Sequence, residues 1–287
     1  MTAKPINVTK PILNGTGQNG ITAVLHTPGQ NGHALDHLAL SADGQLVTEA
    51  DYWAHYYDRG DFSYEWNNGR LEVKPMADYA QFQLYLWFLS LMKDYLHVNP
   101  VGRMIGLEVG FRLYLATRTT IRKPDLAIVL NSNAIPLLDK DRSYHGIFDL
   151  CIESLSDSSE REVERDTVTK RAEYAAAGVR EYYILDERGI ETAFYRLNAR
   201  GIYVPIAPRD GVIQSQVLPG FQFRTTDLYH LPGIPTLVTD EVYRSFASPF
   251  VRAERERAEQ AEQRAARYAA LLRSMGVDVD NLPDVTP

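Results

Sequence analysis

The stretch "CIESLSDSSEREVERDTVTKRAEYAAAG", Cys151 to Gly178, decides how the chain folds. It opens on an apolar run that ends in a carboxylate, Glu153, and crosses a polar break into a segment with helix signals at both ends. Ser159 followed by Glu162 is a capping box, which predicts a helix beginning near Glu160. Glu160 and Glu162 sit where the helix dipole favours anions, and Gly178 is placed to end the helix in a left-handed conformation. Asp166, Lys170 and Tyr174 are spaced four apart and share one face, with Val163, Thr167 and Ala177 near it, so that face is expected to turn inward. A solvated Asp–Lys pair contributes only about 0.3–0.5 kcal/mol. On a packed face it needs a partner or a chemical purpose.

Glu153 raises the same question, because carboxylates are seldom buried alone. Upstream, "KPDLAIVL" (Lys123 to Leu130) reads as a second apolar strand; Pro124 is tolerated at its start and places Asp125 at its beginning. If the two strands are adjacent and antiparallel, Asp125 and Glu153 meet at one edge of a sheet. Their repulsion would then call for a cation, and hard oxygen donors suit Mg²⁺ or Mn²⁺. Read singly, each residue also fits a structural role.

Further out, "TEADYWAHYY" (Thr48 to Tyr57) opens on an N-cap, Thr48, with Asp51 three residues on. "FSYEWNNGRLEVKP" (Phe62 to Pro75) reads as two short strands around Asn67-Asn68-Gly69. Met76 to Val98 is apolar nearly all round, with Tyr79, Phe82, Leu86, Leu89 and Leu96 at helical spacings, and is expected to be a largely buried helix. "MIGLEVGFRLYL" (Met104 to Leu115) reads as one strand, followed by a basic connector; "GIFDLCIES", "REYYILD", "IETAFYRL" and "IYVPIA" supply further strands. The expected class is α/β (α+β), a mixed β-sheet flanked by helices over residues 45–235. Residues 1–44 read as a loosely ordered extension; His33 and His37 there lack a third ligand for zinc. Residues 245–276 read as an Ala/Glu/Arg-rich helix. Ala258, Ala261, Ala265, Tyr268, Leu272 and Met275 form a weak heptad seam on it, open to packing on its own domain or to a homodimer.

At 287 residues, with 45% hydrophobic and 23% charged, the chain can bury a real core. No apolar run approaches the roughly 20 residues that span a bilayer. The N-terminus shows no secretory h-region, and the single Cys151 suits core filling in a reducing compartment, so a cytoplasmic location without membrane attachment is expected. A net charge of −7 argues against a global field for coating nucleic acid but leaves room for a local basic groove. Arg112, Arg118, Arg122 and Lys123, gathered before Asp125, are the candidates to grip DNA phosphates, although a solvated charge run reads the same way.

Taken as a set, "PDLAIV", the strand ending in "IESLS", and "DTVTKRAEYAAAGVREYYILD" resemble the PD-(D/E)XK nuclease superfamily, in its restriction-endonuclease-like branch long labelled a domain of unknown function. "YEWNNGRLE" is similar to that branch's N-terminal Tyr-Glu hairpin, and the Ala/Glu/Arg tail to its appendage; the likeness covers roughly residues 45–280. The resemblance implies a Mg²⁺-dependent endonuclease hydrolysing phosphodiester bonds in DNA. Asp125 and Glu153 would ligate the metal with the Ser154 carbonyl, and Glu65 would serve as auxiliary carboxylate, with Glu72 its competitor. The superfamily's usual lysine position holds Leu155, and in this branch the lysine moves to the next helix, which is Lys170 here. Ser154, Asp157 and Tyr183 depart from the branch pattern at peripheral positions. Two other readings are an interaction protein on a nuclease scaffold, assembling through the C-terminal helix, and a metal-dependent phosphatase acting on small nucleotides.

Overall fold

Strands apolar on both faces have to lie inside a sheet covered on both sides. β6 (Leu126–Leu130) and β9 (Glu181–Leu185) are buried at every position, and β8 (Leu150–Ser154) at four of five. In the computed structural model these three form the centre of a six-stranded sheet. Its other members are β3 (Gly102–Gly106), β10 (Ala193–Leu197) and β11 (Tyr203–Pro205), in the order β11-β10-β9-β8-β6-β3. β6 runs antiparallel to β8, and β8 parallel to β9, so the sheet is mixed. A parallel neighbour demands a crossover, which the helical segment 160–177 provides. The structure describes residues 41–276 except 59, 107–108 and 157–158. His33, His37 and most of the expected 1–44 extension lie outside the described residues.

The crossover is capped as the sequence predicts. The Ser159 hydroxyl accepts the Glu162 N–H at 3.3 Å, α3 spans Glu160–Glu164, and Gly178 closes the segment at φ +92°. Between α3 and α4 (Arg171–Ala177) the residues Arg165–Lys170 wind as a π-helix, an irregularity the spacing rule did not anticipate.

A second, five-stranded sheet has the order β2-β1-β5-β4-β7. β1 (Tyr64–Asn67) and β2 (Arg70–Val73) form the expected hairpin, closed by Asn68 (φ +47°) and Gly69 (φ +98°), a two-residue turn with both centres left-handed. Two expectations fail nearby. The stretch 104–115 is not one strand: β3 pairs with β6 in the first sheet, and β4 (Gly110–Tyr114) with β5 (Thr119–Arg122) in the second. The break falls between Gly106 and Gly110. Gly110 is packed so tightly that a Cβ would lie 2.9 Å from the Arg122 carbonyl. The basic connector is therefore itself a strand, β5. β7 (Ser143–Tyr144) completes this sheet.

Alternation along the central strands sorts the core into two faces. Leu126, Ile128, Leu150, Ile152, Tyr183 and Leu185 pack with Leu84, Phe88, Leu91 and Tyr95 of α2 (Tyr79–Val98). Ala127, Val129, Cys151, Tyr182 and Ile184 pack on the other face with Phe111 and Tyr174. α2 is amphipathic, not buried all round: Tyr79 and Phe82 are exposed, and its inward line runs through Gln81, Leu84, Phe88 and Tyr95. Cys151 is buried core filling.

Leu237, Val242, Tyr243, Phe246 and Ala247 join the first core face, so the packed unit runs beyond residue 235 to the foot of α7 (Pro249–Ser274). There Ser248 N–H donates to Asp94 Oδ2 at 2.7 Å. From Glu254 to Tyr268 every residue of α7 is exposed, including Ala258, Ala261 and Ala265 of the seam. Among the described residues, no helix is long and apolar enough to cross a membrane.

Candidate active site

The register of β6 and β8 sets the first two residues. The last pair is Leu126 with Ile152; Asp125 stands one residue before it and Glu153 one residue after, so both carboxylates reach the same end of the sheet. Asp125 Oδ2 accepts the Ser154 N–H at 2.7 Å, and Oδ1 accepts from Lys74 Nζ at 2.8 Å. Glu153 is buried on the α4 face. It accepts from the Tyr174 hydroxyl at 2.8 Å and lies 3.0 Å from Lys170 Nζ.

Lys170 arrives at the end of the π-helical stretch. Its ammonium is 3.0 Å from Asp166 and 3.4 Å from Glu65 as well as touching Glu153. Burial alone would lower its pKa; Asp166, Glu153 and Glu65 outweigh that and hold the ammonium charged, above its ordinary value. Burial pushes the Glu153 carboxyl up to about 8, with Lys170 opposing and Asp125 and Asp166 reinforcing. For Glu65, burial is overcome by Lys170, Arg122 and Lys74, which keep its carboxyl well below the ordinary range. Asp166 Oδ1 is buried and, although beside the ammonium, has no hydrogen bond of good geometry.

The hairpin places Glu65 and Glu72 differently with respect to the lysine. They are cross-strand partners and share a face, yet only Glu65 touches Lys170; it also accepts the Lys123 N–H at 2.8 Å. Glu72 accepts from Asn67 at 2.8 Å and from Arg122. Glu65 sits behind the lysine and does not line the cavity into which Asp125, Glu153, Asp166 and Lys170 open, a space of about 130 Å³.

The basic quartet is corrected in two of its four members. Arg122 and Lys123 are wholly buried and cannot grip a polyanion. Arg122 lies between three carboxylates: Glu65 at 3.0 Å, Glu72, and Glu173 of α4 at 2.7 Å. Lys123 bonds the Tyr57 carbonyl and stands over the Tyr57 ring. Arg118 bonds Glu173 and Arg112 bonds Glu49, each from a partly exposed position. The cluster of positive charge in sequence is a structural ion-pair network in space.

Three site residues escaped the sequence reading. Lys74 and Arg165 line the cavity, and Glu173 holds Arg122. A signal existed for Lys74: it lies two residues beyond Glu72 and so continues the inward parity of β2. Arg165 donates to the Val73 carbonyl at 2.9 Å, tying the crossover helix to the hairpin.

The donor set fits a small hard cation. Two carboxylates from adjacent strands open on one cavity, and their mutual repulsion helps raise Glu153. Among the described residues, no three His, Cys, Asp or Glu side chains gather as a ready metal cluster, so these carboxylates would need other oxygen ligands beside them.

Comparison with known proteins supplies a family. The chain is similar in fold to a crystal structure described as "a putative nuclease belonging to DUF820 from Anabaena variabilis ATCC 29413", with a TM-score of 0.50 and 15% identity over 64% of this chain and 98% of that one. No protein of curated function matches the chain. The model of the Uma2 family, described as "Putative restriction endonuclease", matches residues 50–227, a span that takes in the hairpin, Asp125, Glu153 and Lys170. The chain belongs to the Uma2 family.

Proposed function

We propose that this protein is a Mg²⁺-dependent endonuclease that hydrolyses phosphodiester bonds in DNA, with Mn²⁺ able to substitute. The observation that carries the reading is the meeting of Asp125, Glu153 and Lys170 at one cavity, with Lys170 Nζ 3.0 Å from Glu153. Family membership supports a nuclease.

Asp125 and Glu153 would hold the cation. When bound, it would lower the pKa of a water and neutralise phosphoryl oxygens. Lys170 presents a fixed positive charge to the cavity, suited to orienting a nucleophilic water and stabilising charge that develops on the phosphate. Asp166 and Glu65 keep that ammonium charged and in place. Tyr174 fixes one oxygen of Glu153, leaving the other to face Lys170.

The test is incubation of the purified chain with supercoiled, linear and single-stranded DNA and with RNA, with and without Mg²⁺ or Mn²⁺. Cation-dependent cleavage of DNA is expected, lost in Asp125→Ala, Glu153→Ala and Lys170→Ala. Absence of cation-dependent cleavage of every form would refute the proposal.

The exposed α7 favours a second reading, a non-catalytic interaction protein that assembles through this helix. Tyr268 and Leu271 are exposed on it, and Met275 just past its end. That reading requires removal of residues 248–287 to abolish assembly while Glu153→Ala leaves the cellular role intact.

A further inference from the structure

We propose that Lys74 is a built-in counter-ion that occupies the cation position at Asp125, so that seating of Lys74 and loading of a divalent cation exclude one another. The proposal rests on the reading of Asp125 and Glu153 as cation ligands.

The geometry is specific. Lys74 Nζ lies 2.8 Å from Asp125 Oδ1 and also donates to the Lys123 carbonyl. Its side chain is only 11% exposed and lines the same cavity as Asp125 and Glu153. Lys74 follows β2 directly and precedes Pro75, which restricts its backbone to extended conformations and fixes where the side chain starts. Asp125 Oδ2 accepts the Ser154 N–H at 2.7 Å, and Oδ1 is the oxygen on which the Lys74 ammonium sits. Mg²⁺ binds oxygen at about 2.0–2.1 Å. An ion at that distance along the Oδ1 lone pair that accepts from Lys74 would stand inside the space held by Nζ.

Electrostatics point the same way. Lys74 is attracted by both Asp125 and Glu153 and repelled by Lys170. Adding a divalent ion while both ammonium groups stay seated would crowd three cations around two carboxylates. Releasing Lys74 relieves that crowding, whereas releasing Lys170 would remove the ammonium 3.0 Å from Asp166 and 3.4 Å from Glu65. Without a divalent ion, seated Lys74 spares Asp125 the cost of an unpaired, largely buried charge. The site carries its own placeholder.

The test uses the full chain and Mn²⁺ alone as the probe, with affinity read by electron paramagnetic resonance or calorimetry. Lys74→Met should bind Mn²⁺ at least about tenfold more tightly than the wild type, and circular dichroism should report an unchanged fold. On the wild type, reductive methylation of Lys74 read by peptide mass spectrometry should rise sharply when Mg²⁺ is added; this arm decides the matter if Lys74→Met does not fold. Equal or weaker Mn²⁺ binding by a folded Lys74→Met overturns the proposal, as does Lys74 labelling unchanged by Mg²⁺ in a wild type that binds Mn²⁺. If wild type and variant both fail to bind Mn²⁺, the divalent-cation reading falls and takes this one with it.

Discussion

Lys170 Nζ lies 3.0 Å from Glu153 Oε2, so an ammonium borne on the crossover helix reaches the carboxylate at the end of β8. Leu155 is buried among the apolar residues of the α4 face, with Phe111 and Tyr174. The same cation serves Glu153, Asp166 and Glu65, so it holds three buried carboxylates together besides the role proposed for it above.

Replacing it should therefore cost twice. Lys170→Met leaves three buried carboxylates without their shared cation, and urea denaturation should show a loss of about 3–5 kcal/mol. Cleavage measured well below the unfolding transition should fall by about 10²–10³-fold. A loss under about 1 kcal/mol would show that the carboxylates find another partner.

Arg122 should matter for the fold and Arg118 hardly at all. Arg122→Met removes the buried guanidinium shared by Glu65, Glu72 and Glu173 and should destabilise by about 3–5 kcal/mol. Arg118→Ala removes a bond to Glu173 from a side chain 38% exposed, and should cost less than about 1 kcal/mol. Chemical denaturation of the two variants side by side makes the comparison.

Stability should fall with acid through the hairpin carboxylates. Burial works against Glu65 and Glu72, but Lys170 and Arg122 for the first, and Arg122 and Asn67 for the second, hold both carboxyls below the ordinary value of 4.5. A depressed folded pKa contributes stability that is fully present above the unfolded value and is lost as pH drops through the folded one. Thermal melts should thus decline below pH 4.5, and Glu72→Gln should show a lower melting temperature at neutral pH with a shallower acid decline. An acid profile identical to the wild type would refute the assignment.

Gly69→Ala separates backbone strain from crowding. A Cβ there would meet nothing closer than the Val47 carbonyl at 4.0 Å, so space is available, but φ is +98°. The substitution should cost about 1 kcal/mol or more in denaturation experiments, while Gly69→Asn should cost less because Asn tolerates left-handed backbone better.

Much of this architecture is legible in the chain because it is written locally. Ser159 with Glu162, Gly178, and Asn68-Gly69 each announce an element end through their own backbone chemistry. The approach of Asp125 to Glu153 follows from two apolar strands and one antiparallel pairing. What stayed hidden depends on long-range partners. Arg122 and Lys123 read as a surface charge run because nothing near them in sequence reveals that Glu65, Glu72 and Glu173 converge there from a hairpin and a helix. For Lys74 the inward parity after Glu72 was there to read, but not its partner Asp125, which belongs to another sheet element. The split of 104–115 between two sheets is decided by pairing with β6 and β5, which period-two alternation does not encode.

The π-helical run from Arg165 to Lys170 has a consequence for how this chain can change in length. A π turn holds one residue more than the α-helical path it replaces, and an α-helix advances about 100° per residue. Deleting a single residue there would regularise the helix and leave α3 and α4 in phase, so the change would fall on the residues inside the run. Asp166 and Lys170 both lie there, and their joint aim at the cavity depends on the irregular winding. The extra residue is a local adjustment that the helices on either side do not feel.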